Sequence, residues 1–319
     1  MNSIKNTKYR VLISVSFLQE DISKFRNIFQ KNQVKIDIPK IKGQQLSEKK
    51  LLLMIDKYNG IICGDDILSA RVLKKAKKLK VIIKWGTGLD AIDIKQTKKL
   101  NIPVYNTPDA FTEPVSDTTI AFMLAFARNI LELDRSMKKG KWQKIQGNSL
   151  SEKTLGIIGL GNIGQAVARK AHSFGTRILG YDIKKVPKII LKKYNIKMVN
   201  KEKLLSKSDY ISLNCALTKD TYHLITKKEF KLMRPNAVII NTARGALIKE
   251  DDLVEAIKKR YIAGAALDVF EKEPLSKNSP LRKFDNVILS PHNANSSPYY
   301  YQKVHENSIK KLFEGLNIK

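Results

Sequence analysis

The sequence predicts an α/β protein built from two doubly wound parallel sheets. Short apolar runs alternate with amphipathic helical segments along almost the whole chain, which is the pattern of parallel strands joined by crossover helices. At 319 residues the chain fits two domains of roughly 100–200 residues each better than one. A hydrophobic fraction of 43% supplies enough apolar side chains for both cores.

Four strands are predicted in the N-terminal hundred residues, each followed by a polar or helical segment: 9–15, 34–38, 60–63 and 81–84. The segment 5–18 also has the basic-then-apolar order of a secretory signal peptide. It lacks a small-residue cleavage site, so a first strand is the better interpretation.

A long helix is predicted over residues 115–139, because apolar side chains recur on related faces of this segment. Glu113-Pro114 precedes it and Gly140 follows it, and both are helix boundary signals. A helix of this length suits a bridge between domains or a subunit contact.

A second α/β series follows, with six predicted strands: 154–159, 177–182, 210–214, 237–241, 263–268 and 287–290. Six strands with crossover helices match one dinucleotide-binding sheet of the Rossmann type. A final helix is predicted at about 298–316.

A glycine-rich motif opens this second series. Gly159-Leu-Gly161-Asn162-Ile163-Gly164 fits G-x-G-x-x-G and stands between a predicted strand and a predicted helix. The first glycine permits a tight turn, the second lets backbone amides approach a pyrophosphate, and the third allows close packing of helix and strand. The helix N-terminus adds donors and partial positive charge for the phosphates.

An acid at the end of the next strand indicates which dinucleotide binds. Asp182 lies 23 residues after Gly159, near the spacing this fold requires. Its carboxylate can accept hydrogen bonds from both ribose hydroxyls of NAD and would repel the extra phosphate of NADP. Lys184 and Lys185 weaken that exclusion, but NAD remains the predicted cofactor.

The formal net charge of +29 has two interpretations, a nucleic-acid surface or a lysine-rich solvated surface. Of the 59 basic residues 48 are lysines, and they are spread along the chain rather than clustered as Arg forks. In the densest run, 71–80, apolar residues fall on one helical face. We therefore expect a solvated surface, no specific nucleic-acid partner, and attraction of a small anionic substrate.

The two cysteines, Cys63 and Cys215, lie inside apolar runs and without partners at a metal-binding spacing. These positions predict that both cysteines are free thiols in a reducing compartment and that neither binds a metal. The longest apolar stretch, 120–127, is too short to cross a bilayer. These features predict a cytoplasmic protein without a membrane segment.

Three polar motifs stand at or just after the later strands, where open α/β sheets bind ligands. They contain Asn241 and Arg244, Asp268 and Glu273, and His292. Reduction of a 2-oxo acid needs a hydride on the carbonyl carbon, a proton on its oxygen and a grip on the carboxylate. Each residue also has a structural alternative: a salt bridge for Arg244, a turn for Glu273, and a capped surface histidine for His292.

The whole set of motifs resembles the D-2-hydroxyacid dehydrogenase family, whose members include phosphoglycerate dehydrogenase. The resemblance covers nearly the whole chain, and the motifs occur in the family's order. They are Gly86-Thr87-Gly88-Leu-Asp90, Asn106-Thr-Pro108, Val115-Ser-Asp117, the glycine motif, Asn241-Thr242-Ala-Arg244-Gly245, Asp268-Val-Phe-Glu-Lys-Glu273-Pro274 and Ser290-Pro-His292.

The resemblance implies a role for each residue of the site. His292 would be the general acid/base, and Glu273 would pair with its other ring nitrogen and favour the imidazolium. Arg244 would grip the substrate carboxylate and polarise the carbonyl, and backbone amides around Thr87 and Gly88 would hold the same carboxylate.

The resemblance also implies further cofactor contacts and a domain arrangement. Thr242 and Asp268 would contact the cofactor, Asp268 at the nicotinamide carboxamide. An NAD-binding Rossmann domain, 105–290, would be inserted into a flavodoxin-like substrate domain formed by 1–104 and 291–319. The protein would be a homodimer, built partly through the long helix.

The substrate stays open at this point. Phosphoglycerate-using relatives often carry an arginine after the third strand, where this chain has Asp65 and Asp66, which would repel a phosphate. Lys84 or another lysine could compensate, so 3-phosphoglycerate, glycerate/hydroxypyruvate and a sugar-derived hydroxy acid all remain open. The family also includes NAD-sensing corepressors that bind without turnover, but the joint presence of arginine, glutamate and histidine favours an enzyme. His305 is interpreted as structural, and His223 either lies near the cofactor or, as the preferred interpretation, is structural.

Overall fold

The computed structural model describes residues 7–41 and 45–318, which fall into two compact units. Unit 1 comprises Met1–Ala110 and Ser297–Lys319, and unit 2 comprises Phe111–Ser296. The boundaries predicted from sequence, after residues 104 and 290, lie a few residues earlier at each junction. The structure therefore keeps the loop of His292 in unit 2, whereas the sequence-based boundary put it in the substrate domain.

Unit 1 contains a five-stranded parallel sheet in the order β2-β1-β3-β4-β5. Its strands are β1 (Tyr9–Ile13), β2 (Val34–Asp37), β3 (Gly60–Cys63), β4 (Val81–Lys84) and β5 (Val104–Tyr105). This 2-1-3-4-5 order is that of flavodoxin-like folds. The four predicted strands are present, and β1 confirms the strand interpretation of the N-terminal segment, whose first residues lie outside the described part. Sequence reasoning missed β5, which has only two residues.

Short helices accompany this sheet, and a long one ends the chain. They are α1 (Ser16–Glu20), α2 (Arg26–Lys31), α3 (Glu48–Leu52), α4 (Ala70–Lys75), α5 (Ile94–Lys99) and α13 (Pro298–Gly315). Across 71–80 the apolar side chains are buried and the basic ones exposed, as expected for a solvated face.

Unit 2 contains a seven-stranded parallel sheet in the order β12-β11-β10-β9-β6-β7-β8. Its strands are β6 (Thr154–Ile158), β7 (Arg177–Tyr181), β8 (Ile196–Met198), β9 (Tyr210–Leu213), β10 (Val238–Asn241), β11 (Gly264–Leu267) and β12 (Val287–Leu289). Counted within the unit, this is the Rossmann order 3-2-1-4-5-6 with a seventh strand at one edge. The six predicted strands are confirmed to within one residue at each end. The edge strand β8 was missed.

The helices of unit 2 correct one expectation. They are α6 (Thr112–Ala127), α7 (Ile130–Lys138), α8 (Asn162–Ser173), α9 (Lys188–Lys193), α10 (Lys201–Lys207), α11 (Lys227–Leu232) and α12 (Glu250–Lys258). The single helix expected over 115–139 is wrong, because the chain breaks at Asn129, where φ is 52°. Asparagine tolerates this left-handed conformation, and its side-chain amide donates to the Gln146 carbonyl at 2.9 Å.

Both faces of the unit 2 sheet are covered. Consecutive strand residues point to opposite faces, so Ile239 packs in one hydrophobic cluster and Ile240 in the other. Cys63 is buried and Cys215 is half-buried, and both are free thiols. Within the described residues, every helix is too short or too polar to cross a bilayer.

Candidate active site

The three glycines of the glycine motif are required for different reasons. Gly159 has φ of 92°, and a Cβ there would lie 2.6 Å from the Cys215 backbone nitrogen. A Cβ at Gly164 would lie 2.0 Å from the Gly159 oxygen, so the fold itself excludes side chains at both positions. A Cβ at Gly161 would meet nothing within 4 Å. The chain thus leaves open space at Gly161, the residue before the first turn of α8, and this space fits a pyrophosphate.

Asp182 is tied to the same loop. Its Oδ2 accepts a hydrogen bond from the Leu160 amide at 2.6 Å, and its Oδ1 accepts one from the Lys184 amide at 2.7 Å. The carboxylate therefore fixes the glycine loop against the end of β7. Asn162 is exposed at the start of α8, whereas Ile163 packs against the hydrophobic core.

The arginine, acidic and histidine motifs follow three neighbouring strands of one sheet. Asn241 at the end of β10 is in register with Leu267 in β11, which is in register with Leu289 in β12. Because parallel strands end at the same edge, the loops after them emerge on the same side of the sheet as the glycine loop after β6.

Glu273 and His292 form the pair that the family resemblance implied. Glu273 Oε2 lies 2.8 Å from His292 Nδ1, and its Oε1 accepts a hydrogen bond from the Phe270 amide at 3.0 Å. Both side chains are about one quarter exposed, 22% for the histidine and 24% for the glutamate. Pairing at Nδ1 makes Nε2 the ring nitrogen that can serve a substrate.

Asp268 has a structural use that sequence reasoning did not anticipate. The side chain is 1% exposed, and its two oxygens accept hydrogen bonds from the Asn293 and Ala294 amides at 2.8 and 3.0 Å. The His292 amide also donates to the Asp268 carbonyl at 2.7 Å, and His292 has a left-handed φ of 54°. Asp268 therefore holds the histidine loop. The predicted contact with nicotinamide stays a prediction.

Arg244 sits on a loop fixed by its own neighbours. The Asn241 side-chain amide donates to the Arg244 carbonyl at 2.8 Å, and Arg244 Nη1 donates to the Ala243 carbonyl at 2.8 Å. Thr242 is 8% exposed, and its hydroxyl lies 3.2 Å from that of Thr119.

The predicted carboxylate-binding loop lies in unit 1, after β4. Gly86 has φ of 112°, and its amide donates to the Thr107 hydroxyl at 2.9 Å. The Asn106 side-chain amide donates to the Thr87 carbonyl at 2.8 Å, leaving Thr87 exposed and Gly88 half-buried. Among the described residues, no cluster of three or more His, Cys, Asp or Glu could hold a metal.

Comparison with known proteins defines the class of this fold and site. Residues 120–294, more than half of the chain, match the family described as D-isomer specific 2-hydroxyacid dehydrogenase, NAD binding domain. A glyoxylate reductase from Thermofilum pendens is 40% identical over 277 residues, which cover 85% of this chain and 82% of that protein.

Two further similarities agree. A D-3-phosphoglycerate dehydrogenase from Methanocaldococcus jannaschii is 44% identical over 250 residues, 76% of this chain but 47% of that protein. The structure of a D-lactate dehydrogenase from Aquifex aeolicus, complexed with NAD and lactic acid, has a TM-score of 0.87 and 28% identity. The match covers 97% of this chain and 95% of that one.

Fold and site thus define a nicotinamide-dependent oxidoreductase with a Rossmann domain. The chain belongs to the D-isomer specific 2-hydroxyacid dehydrogenase family, whose members are NAD-dependent.

Proposed function

We propose that this protein reduces a small, unphosphorylated 2-oxo acid, glyoxylate foremost, to its 2-hydroxy acid with NADH. The Glu273–His292 pair carries the proposal, because it supplies an oriented proton donor at the sheet edge that bears the glycine loop. The 40% identity to a glyoxylate reductase, over 82% of that protein, supports this choice of substrate.

The residues of the site have distinct roles in the proposed reaction. Bound NADH supplies the hydride that adds to the carbonyl carbon. His292 gives its Nε2 proton to the carbonyl oxygen, while the Glu273 carboxylate at Nδ1 stabilises the imidazolium and orients the ring. Arg244 binds the substrate carboxylate and draws electron density from the carbonyl. The loop of Thr87 and Gly88 in unit 1 stays a predicted carboxylate-binding loop.

The proposed cofactor contacts follow from the same loops. The amides that begin α8 would hold the pyrophosphate of a bound NADH, and the Asp182 carboxylate would accept hydrogen bonds from its ribose hydroxyls. The residues proposed to bind the cofactor are Gly159, Gly161, Asn162, Ile163, Gly164, Asp182, Thr242 and Asp268.

The end of the unit 1 sheet supports an unphosphorylated substrate. Lys84, the lysine that could have compensated the two acids after β3, is 3% exposed. Its ammonium donates to the Gly64 carbonyl at 2.6 Å and to Asp65 at 2.8 Å, so its charge is already neutralised. 3-Phosphoglycerate remains the second candidate, since the 44% identity to a phosphoglycerate dehydrogenase favours it.

We also propose a cytoplasmic homodimer. Helix α7 has no buried residue, and its apolar side chains Ile130, Leu131 and Met137 are 43–50% exposed. Trp142, shortly after it, is 86% exposed. An apolar surface of this kind suits contact with a second copy. The two free thiols support a reducing compartment.

The test follows NADH absorbance with glyoxylate, pyruvate, hydroxypyruvate and phosphohydroxypyruvate. The expected result is oxidation with glyoxylate, loss of at least about a hundredfold in His292→Ala, and unchanged rates in His172→Ala, an exposed histidine of the same unit. A preference for phosphohydroxypyruvate would promote the second candidate. NADH binding without turnover of any acid would indicate a binding protein.

A further inference from the structure

We propose that His223 and Glu271 form a second histidine–carboxylate pair, which positions Arg244 and Glu273 for the reaction. This inference rests on the proposed function. His223 was interpreted from sequence as structural, and Glu271 was given no role. Neither belongs to the Glu273–His292 pair, so they would be positioning residues rather than catalytic ones.

Glu271 is held at both carboxylate oxygens. His223 Nε2 forms a short hydrogen bond with Oε1, and the Glu250 amide at the start of α12 donates to Oε2 at 2.9 Å. The two paired side chains are 23% and 29% exposed. Glu271 therefore joins the acidic loop to His223 on one side and to α12 on the other.

His223 is itself fixed in place. It has a left-handed φ of 51°, and its amide donates to the Ala246 carbonyl at 2.8 Å. The Tyr222 ring stacks on the imidazole with ring centres 3.9 Å apart. A non-glycine residue in this conformation is uncommon and persists only where its surroundings determine it. The ring is thus aimed at Glu271 by backbone and stacking together.

The acidic loop is in direct contact with the arginine loop. A Cβ on Gly245, the residue after Arg244, would lie 1.8 Å from the Phe270 carbonyl carbon and 2.4 Å from the Glu271 nitrogen. The two backbones are therefore packed without room for a methyl group. A shift of Glu271 must also move Phe270, and with it the neighbour of Arg244.

The acidic loop also contains Glu273, the partner of His292. The Phe270 amide donates to Glu273 Oε1, and the other oxygen of Glu273 pairs with His292. Only one residue separates Glu271 from Glu273. Releasing Glu271 would loosen both proposed catalytic groups at once, and displacement by about 1 Å costs on the order of a hundredfold in rate.

The experiment compares His223→Ala, His223→Gln and Glu271→Gln with wild type and with His172→Ala. Glutamine at 223 retains a side-chain N–H for Glu271, so it should restore most of the function. We expect kcat/KM for glyoxylate to fall about tenfold or more in His223→Ala and Glu271→Gln. The Kd for NADH should stay within about twofold, since the glycine loop is untouched.

The pH profile separates positioning from a merely structural role. Mispositioned Glu273 should move the alkaline midpoint of the reductive rate in His223→Ala, and His223→Gln should return it to the wild-type pH. Wild-type kcat/KM and pH midpoint in His223→Ala would overturn the proposal. A fall in kcat/KM that parallels a lower melting temperature and is not restored in His223→Gln would also overturn the proposal.

A substrate-free measurement keeps this inference distinct from the proposed function. If wild-type protein reduces none of the acids, the function has failed, and NMR titration of the His292 ring in the free protein tests the positioning. A titration midpoint of His292 displaced in His223→Ala and restored in His223→Gln supports positioning. An unchanged midpoint rejects it.

Discussion

The indole N–H of Trp85 donates a hydrogen bond to Nδ1 of His305 at 3.0 Å, although the two residues lie 220 positions apart. His305 is fully buried in unit 1, and its Nε2 has no hydrogen-bond partner in the described residues. The nearest carboxylate oxygen, on Asp21, is 3.6 Å away. An Nδ1 that accepts a hydrogen bond carries no proton, so the His305 ring is neutral and its single proton is on Nε2. Trp85 directly precedes the predicted carboxylate loop.

This arrangement predicts a loss of stability in acid. Burial lowers the pKa of His305 to about 4 from its usual 6.5. Between these pH values the unfolded chain binds a proton that the folded chain does not, so the free energy of unfolding falls as pH drops from 6.5 towards 4. The contribution is about 3 kcal/mol. Urea unfolding at pH 7.5, 5.5 and 4.5 measures it.

His305→Asn provides the control, because asparagine keeps an acceptor for the Trp85 indole but does not titrate. The variant should show a flatter dependence of unfolding free energy on pH across this window. A difference between wild type and variant that is the same at all three pH values would contradict the prediction.

The glycine motif allows stability and cofactor binding to be separated. Gly164→Ala should lower the free energy of unfolding by about 3 kcal/mol, because its Cβ would strike the Gly159 carbonyl. Gly161→Ala should cost less than about 1 kcal/mol, since its Cβ meets open space. Yet Gly161→Ala should weaken NADH binding by about tenfold or more, because the methyl group occupies the space left for the pyrophosphate. Denaturant unfolding and NADH fluorescence titration give the two readouts.

Asp182 should determine the choice between NADH and NADPH. Asp182→Asn removes the negative charge but retains an oxygen that can accept from the Leu160 amide. We expect the preference for NADH over NADPH to fall by about tenfold, mostly through tighter NADPH binding. Titration of both cofactors against wild type and variant checks this. An unchanged ratio would show that the charge does not set the preference.

Glu273→Gln tests the orienting carboxylate. Glutamine preserves a contact at His292 Nδ1 but no longer stabilises the imidazolium, so kcat for reduction should fall about tenfold to a hundredfold. The alkaline limb of the rate profile should also move to lower pH, because the proton donor is lost more readily as pH rises. Steady-state rates from pH 5 to 9 show both effects. A wild-type profile in the variant would remove Glu273 from the proposed mechanism.

The exposed apolar face of α7 predicts a subunit contact. Leu131→Asp should convert a dimer to a monomer in sedimentation velocity, since a charge would be placed inside an apolar contact. Leu53→Asp, at an even more exposed leucine of unit 1, serves as the matched control and should leave the sedimentation coefficient unchanged. A wild-type protein that sediments as a monomer would reject the proposed dimer.

Sequence reasoning succeeded where the signal is local. The glycine motif between a strand and a helix, and polar residues after successive strands, predicted the Rossmann sheet and the loops that carry Arg244, Glu273 and His292. It failed at the edge strand 196–198, which is too short for a hydrophobic period, and at Asn129. There a single left-handed residue ends a helix whose apolar pattern continues.

The amino-acid sequence by itself determined the class of fold and the nicotinamide cofactor, and its resemblance to a known family implied the residues proposed for proton transfer and carboxylate binding. Strand periodicity and the order of motifs can be recognised along the chain without knowledge of which distant residues are in contact. Tertiary structure decided which groups pair with one another: Asp268 with the backbone of the histidine loop, Lys84 with Asp65, and His223 with Glu271. These pairings depend on loops brought together by parallel strands, and chain spacing does not encode which side chain then finds which partner.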